Sequence, residues 1–321
     1  MGAKPVQVSS PSHQKANYYK SRPARPGSKH ILANKVIGTV SAVAAPGRSV
    51  AFWKSNEHSF LTPRLTAHTH AIPALMLPHT ALTRSRITSD HALITPESHV
   101  QLSPPGWLKA TVVYFISPQM GANFTMFMGV FETGGEVKRK LGDNEILAYV
   151  LEGEADLSHG ATEALKEGSF FFLPPNSSFS IKARKQCRVL FFEKMYEPLA
   201  GVNPPEALIS HESKITKEPF LGDPGALLQT LMPMDSAYDM GVNIFEFAPG
   251  GTLPNVENHY MEHGLYVLQG QGVYRLAESW YPVQKDDAIW MAPYCLQWFV
   301  ASGKQNTKYI YYKDMNRPPL V

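Results

Sequence analysis

The stretch Gly251-Thr-Leu-Pro-Asn-Val-Glu257-Asn-His259-Tyr-Met-Glu-His263-Gly-Leu-Tyr-Val-Leu-Gln-Gly270 decides how the rest of the chain is interpreted. Glu257, His259 and His263 bring a carboxylate and two imidazoles within seven residues, between two glycines. In an extended segment, positions 257, 259 and 263 point to the same face, so the three side chains can reach one ion. Gln297 follows 34 residues after His263, in a second segment with strand character. The pattern predicts a four-ligand metal site inside a small β-barrel.

The same order of features occurs twice along the chain. Glycines at positions 135 and 153 recur at 251 and 270, at offsets of 116 and 117 residues. From about residue 81 onward, short runs rich in β-branched and aromatic residues alternate with Gly, Pro and Asn, and no long segment has helical periodicity. An all-β fold built from two tandem copies of one barrel is therefore predicted.

Composition limits the classes of protein to consider. The chain has 321 residues, 44% hydrophobic and 18% charged, with a formal net charge of only +3. No apolar run approaches the roughly 20 residues that span a bilayer, and the balanced charge does not favour nucleic acid. We expect neither a membrane nor a nucleic-acid partner. The two cysteines have no paired spacing, which fits a reduced compartment.

The motif order in each copy resembles the cupin family, which implies two jelly-roll barrels. Most cupins carry His, His and Glu in the first motif and His in the second, whereas Glu257, His263 and Gln297 stand here in place of the first His, the Glu and the last His. With this permutation, the chain closely resembles the (S)-ureidoglycine aminohydrolases, a bicupin family. Six segments between residues 81 and 321 carry the resemblance: His91–His99, Glu257–Tyr266, Gly270–Leu276, Trp280–Gln284, Ile289–Trp298 and Tyr309–Arg317.

The resemblance implies an enzyme of purine and allantoin breakdown. The expected reaction converts (S)-ureidoglycine and water to (S)-ureidoglycolate and ammonia, with one Mn²⁺ per chain in the C-terminal barrel. An oxygen-rich, thiolate-free ligand set also suits Mn²⁺ or Fe²⁺ on chemical grounds. The family further implies a small ureide substrate and a homo-oligomer, with an octamer as the expected form.

The expected site residues follow from the matched positions. Glu257, His259, His263 and Gln297 are the predicted metal ligands. Lys313 and Glu257 are the predicted catalytic residues, because a buried amine beside a cation can carry protons. The predicted substrate contacts are Glu257, Gln297, Tyr309, Lys313 and Tyr274. Tyr309, Tyr311 and Lys313 alternate along one segment and should share a face of a strand.

One position departs from the family pattern. Asp286 stands where the second cupin motif normally opens with Gly. A turn with positive φ at this point favours Gly, although Asp tolerates that conformation better than most residues. We expect a local adjustment of the turn and an intact site.

Three regions are predicted: a basic extension at residues 1–80, an N-terminal barrel at 81–200 and a catalytic barrel at 201–321. The first 56 residues contain no Asp or Glu. This extension lacks the apolar core of a secretory signal and is compatible with either a transit peptide or a disordered tail, so the compartment stays open. In the N-terminal barrel, Lys140, Gly142, Ile146 and Phe179 align with the ligand positions and form no metal site.

Two alternative functions remain compatible with the residues. A non-catalytic storage or ligand-binding bicupin would keep the barrels without the reaction. Another metal bicupin enzyme, such as an oxalate decarboxylase or a dioxygenase, would act on a different small carboxylic acid. Those enzymes favour His-rich metal sites, so the Glu and Gln in this ligand set argue against that assignment. An intact ligand set argues against a storage protein.

Overall fold

The computed structural model describes residues 82–319. The predicted N-terminal extension lies outside this part of the chain. The strands of the first half are β1 (Arg86–Ile87), β2 (His91–Ile94), β3 (Trp107–Ile116), β4 (Thr125–Lys140), β5 (Asn144–Glu152), β6 (Glu154–His159), β7 (Ala161–Lys166), β8 (Ser169–Leu173), β9 (Ser178–Ala183), β10 (Cys187–Met195) and β11 (Leu208–His211).

The strands of the second half are β12 (Glu218–Phe220), β13 (Asp223–Thr230), β14 (Met240–Phe247), β15 (His263–Gln269), β16 (Gln271–Leu276), β17 (Ser279–Gln284), β18 (Ala288–Met291), β19 (Gln297–Ser302) and β20 (Thr307–Asp314). Single 3₁₀ turns lie at Pro96–Ser98, Pro118–Met120 and Glu212–Lys214. Within residues 82–319 no α-helix forms, so the predicted all-β class is confirmed. None of the described helices is long and apolar enough to cross a membrane.

The strands form two antiparallel barrels. In the N-terminal barrel the strand order is β11-β8-β5-β10-β4-β9-β6-β7, and β3 pairs with β4. In the C-terminal barrel, one sheet has the order β1-β2-β18-β15-β20-β14-β13-β12, and a second sheet consists of β17-β16-β19. The predicted tandem arrangement of two related barrels is confirmed.

Each barrel includes at least one strand from the other half of the chain, β1 and β2 in the C-terminal barrel and β11 in the N-terminal barrel. The first-half strand β2 pairs with β18 of the C-terminal barrel, with His91 opposite Met291. The second-half strand β11 pairs with β8 of the N-terminal barrel, with Leu208 opposite Phe172. Strands from both sides of residue 200 therefore occur in each barrel. The domain boundary at residue 200 stays a prediction.

Strands at the contact between the barrels are apolar on both faces. On β8, Phe171 and Leu173 pack inside the N-terminal barrel, while Phe170 and Phe172 pack in a cluster shared with the C-terminal barrel. The equivalent strand β18 divides in the same way, with Ile289 inside its barrel and Trp290 in the shared cluster. Burial on both sides explains why these strands are continuous apolar runs.

Asp286 adopts the left-handed conformation expected at its turn, with φ of 72°. Its carboxylate accepts a hydrogen bond from Tyr266 Oη at 2.9 Å and pairs with Arg188 Nη2 of the N-terminal barrel at 3.0 Å. The N-terminal barrel has Gly168 at the matching place, with φ of 82°. Asp therefore replaces Gly where a carboxylate is used to join the two barrels.

A buried carboxyl pair also joins the barrels. Glu145 on β5 and Asp239 before β14 are fully buried, and Asp239 accepts hydrogen bonds from Lys194 Nζ and the Glu197 N–H, each at 2.7 Å. Burial, with the neighbouring Asp239 carboxyl, raises the pKa of Glu145 to about 10, against the opposing charges of Lys194 and Arg317. Glu145 is therefore protonated at neutral pH.

Replacing Glu145 with Gln should remove a pH dependence of stability. Unfolded Glu145 loses its proton above its ordinary pKa of 4.5, whereas the folded protein keeps it to about pH 10. The folded state thus holds one extra proton in this window, and the free energy of unfolding falls as pH rises, by up to about 1.4 kcal/mol per pH unit. Gln has nearly the same shape, is neutral and does not titrate.

The advantage of Glu145→Gln over the wild type should therefore grow with pH. Chemical denaturation at several values from about pH 6 to about pH 9 measures it. Glu132→Gln, at an exposed position of the same barrel, is the matched control. Parallel pH profiles for Glu145→Gln and the wild type would contradict the assignment of a protonated Glu145.

Candidate metal centre

A cavity of about 170 Å³ lies inside the C-terminal barrel. It is lined by every residue predicted for the site: Glu257, His259, His263, Tyr274, Gln297, Tyr309 and Lys313. The remaining wall is largely apolar, with Phe220, Leu253 and Met291 among its members. A few polar groups converging in an apolar cavity are typical of a small-molecule site.

The backbone brings the four predicted ligands together from two places. Glu257 and Gln297 form an isolated antiparallel bridge, with N···O distances of 2.8 and 3.1 Å between their backbones. His263 begins β15, and His259 lies in the irregular segment between Glu257 and His263. The predicted single extended segment over 257–263 is therefore wrong, because a loop precedes the strand. The side chains nevertheless meet in the same cavity.

Backbone carbonyls fix the orientation of both imidazoles. His263 Nδ1 lies 3.0 Å from the Tyr312 oxygen, and His259 Nδ1 lies 3.1 Å from the Met261 oxygen. A carbonyl only accepts, so each Nδ1 carries the proton and each Nε2 presents a lone pair. The two Nε2 atoms are 3.1 Å apart. Two lone pairs thus face each other at contact distance.

A proton between the rings is disfavoured. Burial, with the neighbouring His259, lowers the pKa of His263 to about 3. Burial also lowers the pKa of His259. At neutral pH both rings are therefore neutral, and the facing lone pairs call for a cation from outside the chain. Carbonyl-anchored imidazoles of this kind are common among metal ligands.

The oxygen donors stand beside this pair. Gln297 Nε2 lies 3.0 Å from His259 Nε2, and Glu257 Oε2 lies 4.0 Å from the same atom. Turning the amide over would present the Gln297 oxygen to the same point. Within residues 82–319, no three His, Cys, Asp or Glu side chains are close enough to form a metal centre by themselves. The fit to Mn²⁺ thus requires the Gln297 oxygen and a closer Glu257.

Lys313 faces the cavity from β20, opposite His263 on β15 and Gly241 on β14. Tyr309 and Tyr311 line the same cavity, as their alternation predicts. Burial lowers the pKa of Lys313, and the carboxylate of Glu257 counteracts this shift. Burial raises the pKa of Glu257, and Lys313 in turn opposes that change. The amine and the carboxylate are thus electrostatically linked across the cavity.

Tyr274 contacts a predicted ligand. Its hydroxyl donates to Gln297 Oε1 at 3.2 Å, which leaves Nε2 facing His259. With the amide turned over, the hydroxyl would accept from Nε2 instead. Burial raises the pKa of Tyr274 and of Tyr309, and both phenols stay protonated. The roles of Tyr274 and Tyr309 toward a substrate remain predictions.

Sequence reasoning missed Asn243 and the contact that Tyr311 makes with a predicted ligand. Tyr311 packs edge-on against the His263 ring, with centroids 5.5 Å apart. Asn243 is buried and donates from Nδ2 to the Tyr311 hydroxyl at 3.1 Å. An Asn between Val242 and Ile244 in the mainly apolar strand β14 was the available signal, because a buried amide needs a partner.

The N-terminal barrel carries different residues at the equivalent places. Ile146 lies opposite Glu193 just as His263 lies opposite Lys313. Phe179 lies opposite Arg139, which binds Glu193 through two bonds of 2.7 and 2.9 Å. The register thus shifts the predicted equivalents Lys140 and Gly142 by one residue, to Arg139 and Leu141. An ion pair and apolar side chains occupy the place of the ligand set.

Comparison with known proteins gives three curated relatives, whereas no family model matches the chain. A protein of Oryza sativa subsp. japonica named "Probable (S)-ureidoglycine aminohydrolase" is 39% identical over 278 residues, covering 85% of both chains. The (S)-ureidoglycine aminohydrolase of Arabidopsis thaliana is 37% identical and covers 84% of this chain and 87% of its own. That of Escherichia coli (strain K12) is 32% identical, with coverages of 70% and 88%.

Solved structures agree with the fold. Protein Ylba from E. coli superimposes with a TM-score of 0.67 at 28% identity, over 74% of this chain and 97% of its own. An oxalate decarboxylase of Bacillus subtilis, studied for its Mn(II) centres, gives a TM-score of 0.55 at 10% identity, over 74% and 81%. The second likeness concerns the fold alone. The predicted bicupin architecture is confirmed.

Proposed function

This chain belongs to the (S)-ureidoglycine aminohydrolase family, and on that basis we propose that it is a metal-dependent hydrolase that converts (S)-ureidoglycine and water to (S)-ureidoglycolate and ammonia. The reaction places the protein in purine and allantoin breakdown. The proposed cofactor is one Mn²⁺ per chain in the C-terminal barrel, the substrate is a small ureide, and the active form is a homo-oligomer.

One observation carries the proposal of a metal. His259 and His263 present two Nε2 lone pairs 3.1 Å apart, while both Nδ1 atoms are engaged by backbone carbonyls. Burial keeps both rings neutral, so a divalent ion would satisfy both lone pairs once the Gln297 amide presents its oxygen. Glu257 and the Gln297 oxygen would complete two nitrogen and two oxygen donors, a set that suits Mn²⁺ or Fe²⁺.

The bound ion would supply Lewis-acid stabilisation of charge developing on the substrate. The side chains of the cavity do the rest. The Glu257 carboxylate holds the amine of the substrate, and the protonated phenols of Tyr274 and Tyr309 offer hydrogen-bond donors. The apolar wall limits the entry of further water, which strengthens each of these contacts.

Lys313 is the proposed carrier of protons. Among the described residues that line the cavity, it is the one Lys or Arg side chain. Because burial lowers its pKa, it can take a proton from the attacking water and give one to the leaving amine. The C–O bond forms, the C–N bond breaks, and ammonia leaves with the transferred proton.

Metal removal tests the proposal. Treatment with a chelator should abolish ammonia release from ureidoglycine generated in situ from allantoate, and Mn²⁺ should restore it more fully than Zn²⁺ or Mg²⁺. Elemental analysis of the purified protein gives the stoichiometry in parallel. Bound metal without ammonia would favour a bicupin enzyme with another substrate. Neither metal nor ammonia would favour a storage or ligand-binding bicupin.

A further inference from the structure

The N-terminal barrel presses one loop against the strand that carries His263. This loop, residues Gly121 to Phe124 and called here the 121–124 loop, precedes β4. Phe124 is 1% exposed and belongs to the cluster shared by the barrels. A Cβ placed on Gly264 would stand only 2.5 Å from the Phe124 ring. The ring therefore lies flush on the backbone of the residue that follows His263.

The residue before His263 is held by the same loop. Glu262 is fully buried. Its Oε2 accepts a hydrogen bond from the backbone N–H of Asn123 at 2.9 Å, and its Oε1 accepts from Trp290 Nε1 at 2.6 Å. The backbone N–H of Glu262 donates to Asp314 Oδ2 at 3.1 Å. A buried carboxyl group whose two oxygens each accept a hydrogen bond has one well-defined position.

The loop also contacts Tyr312, the third residue that orients His263. The His263 Nδ1–H donates to the carbonyl of Tyr312, and the Phe124 ring stacks on the Tyr312 ring with centroids 4.1 Å apart. The residue before His263, the residue after it and the acceptor of its imidazole thus all contact the 121–124 loop. Outer contacts of this kind set the direction of a ligand and the affinity of its metal.

We propose that the 121–124 loop of the ligand-free N-terminal barrel positions His263 for metal binding, with Phe124 and Glu262 as the positioning residues. This inference rests on the proposed function, because it takes His263 as a metal ligand. It gives the N-terminal barrel a definite part in the site although its own interior holds no ligand set among the described residues.

Phe124→Leu tests the proposal. It keeps the apolar character and most of the volume but removes the flat ring from Gly264 and Tyr312. We expect the dissociation constant for Mn²⁺ to rise by about 10- to 100-fold, the usual range for outer-shell changes. The signal of free Mn²⁺ in electron paramagnetic resonance measures it in the full chain, below the unfolding temperature and without an assay of activity.

Phe171→Leu is the matched control. Phe171 is equally buried but packs inside the N-terminal barrel, against Phe179 and away from the C-terminal barrel. The Phe171→Leu substitution should lower stability and leave the dissociation constant for Mn²⁺ within about twofold of the wild-type value. If Phe124→Leu and Phe171→Leu shift the constant equally, the effect is general loosening and the proposal is wrong.

A steric pair provides an independent measurement. Gly264→Ala should weaken Mn²⁺ binding because its Cβ meets the Phe124 ring, and adding Phe124→Leu should recover part of the loss, so the two changes should not be additive. Purely additive effects would overturn the proposal. If the wild type binds no Mn²⁺, the proposed function is wrong and this inference falls with it. If the wild type binds and Phe124→Leu binds as tightly, only this inference is wrong.

Discussion

Lys313→Met should lower kcat by about 10²- to 10⁴-fold, the usual contribution of a general acid or base, and leave the Mn²⁺ content unchanged. Met keeps an unbranched stem along Gly241, where a Cβ would stand 3.5 Å from Lys313 Cε. It removes the amine that burial has brought closer to neutrality. Since Lys313 is not among the predicted metal ligands, the substitution should lower turnover without weakening the binding of the ion.

The kinetic parameters distinguish two roles for Lys313. If Lys313 carries protons, its loss lowers kcat and kcat/KM together. If the amine only binds the substrate, its loss raises KM and leaves kcat unchanged. Lys308→Met is the control, because Lys308 lies on the same strand but binds Glu212 outside the cavity. Full activity of Lys313→Met would remove Lys313 from the mechanism.

The inward face of β20 could be predicted because it depends on local geometry. Strand alternation alone places Tyr309, Tyr311 and Lys313 on one side, and the structure puts all three on the cavity. The convergence of Glu257, His259, His263 and Gln297 was likewise predicted from spacing and family resemblance. The local structure differs from the prediction. A loop and the Glu257–Gln297 bridge bring the ligands together, where the sequence suggested one extended segment.

Contacts between the barrels could not be predicted in the same way. The stacking of Phe124 on Tyr312 joins residues 188 positions apart in the sequence, and no local pattern indicates such a pair. The exchange of β2 and β11 between the sheets has the same character. The one-residue shift from Lys140 to Arg139 arises from loop length, which glycine landmarks alone do not define.

The use of Asp286 shows how a departure from a family pattern carries information. A local adjustment of a turn with positive φ was expected at this position, and the turn keeps that conformation with φ of 72°. The reason for Asp rather than Gly became visible only with Arg188, which approaches from the other barrel at 3.0 Å. A backbone constraint is a local property, whereas the partner of a side chain depends on the whole fold.

His263→Asn should abolish high-affinity metal binding and, with it, ammonia release. Asn retains a short N–H donor for the Tyr312 carbonyl but has no counterpart of Nε2, so one of the two facing lone pairs disappears. Loss of a direct ligand should exceed the 10- to 100-fold cost of outer-shell changes, and we expect a dissociation constant more than about 100-fold higher. Elemental analysis after dialysis and the free Mn²⁺ signal measure this.

The matched control is His91→Asn. His91 is also buried, and its ring nitrogens contact Asp90 and Tyr281 at 2.8 Å rather than the cavity. It lies in the same sheet as His263, opposite Met291, so both changes perturb the same barrel. His91→Asn should cost stability and keep the metal. A His263→Asn protein that still holds one Mn²⁺ per chain would show that the ion, if it binds, is not held by the His259 and His263 pair, and the proposed hydrolysis would lose its physical basis.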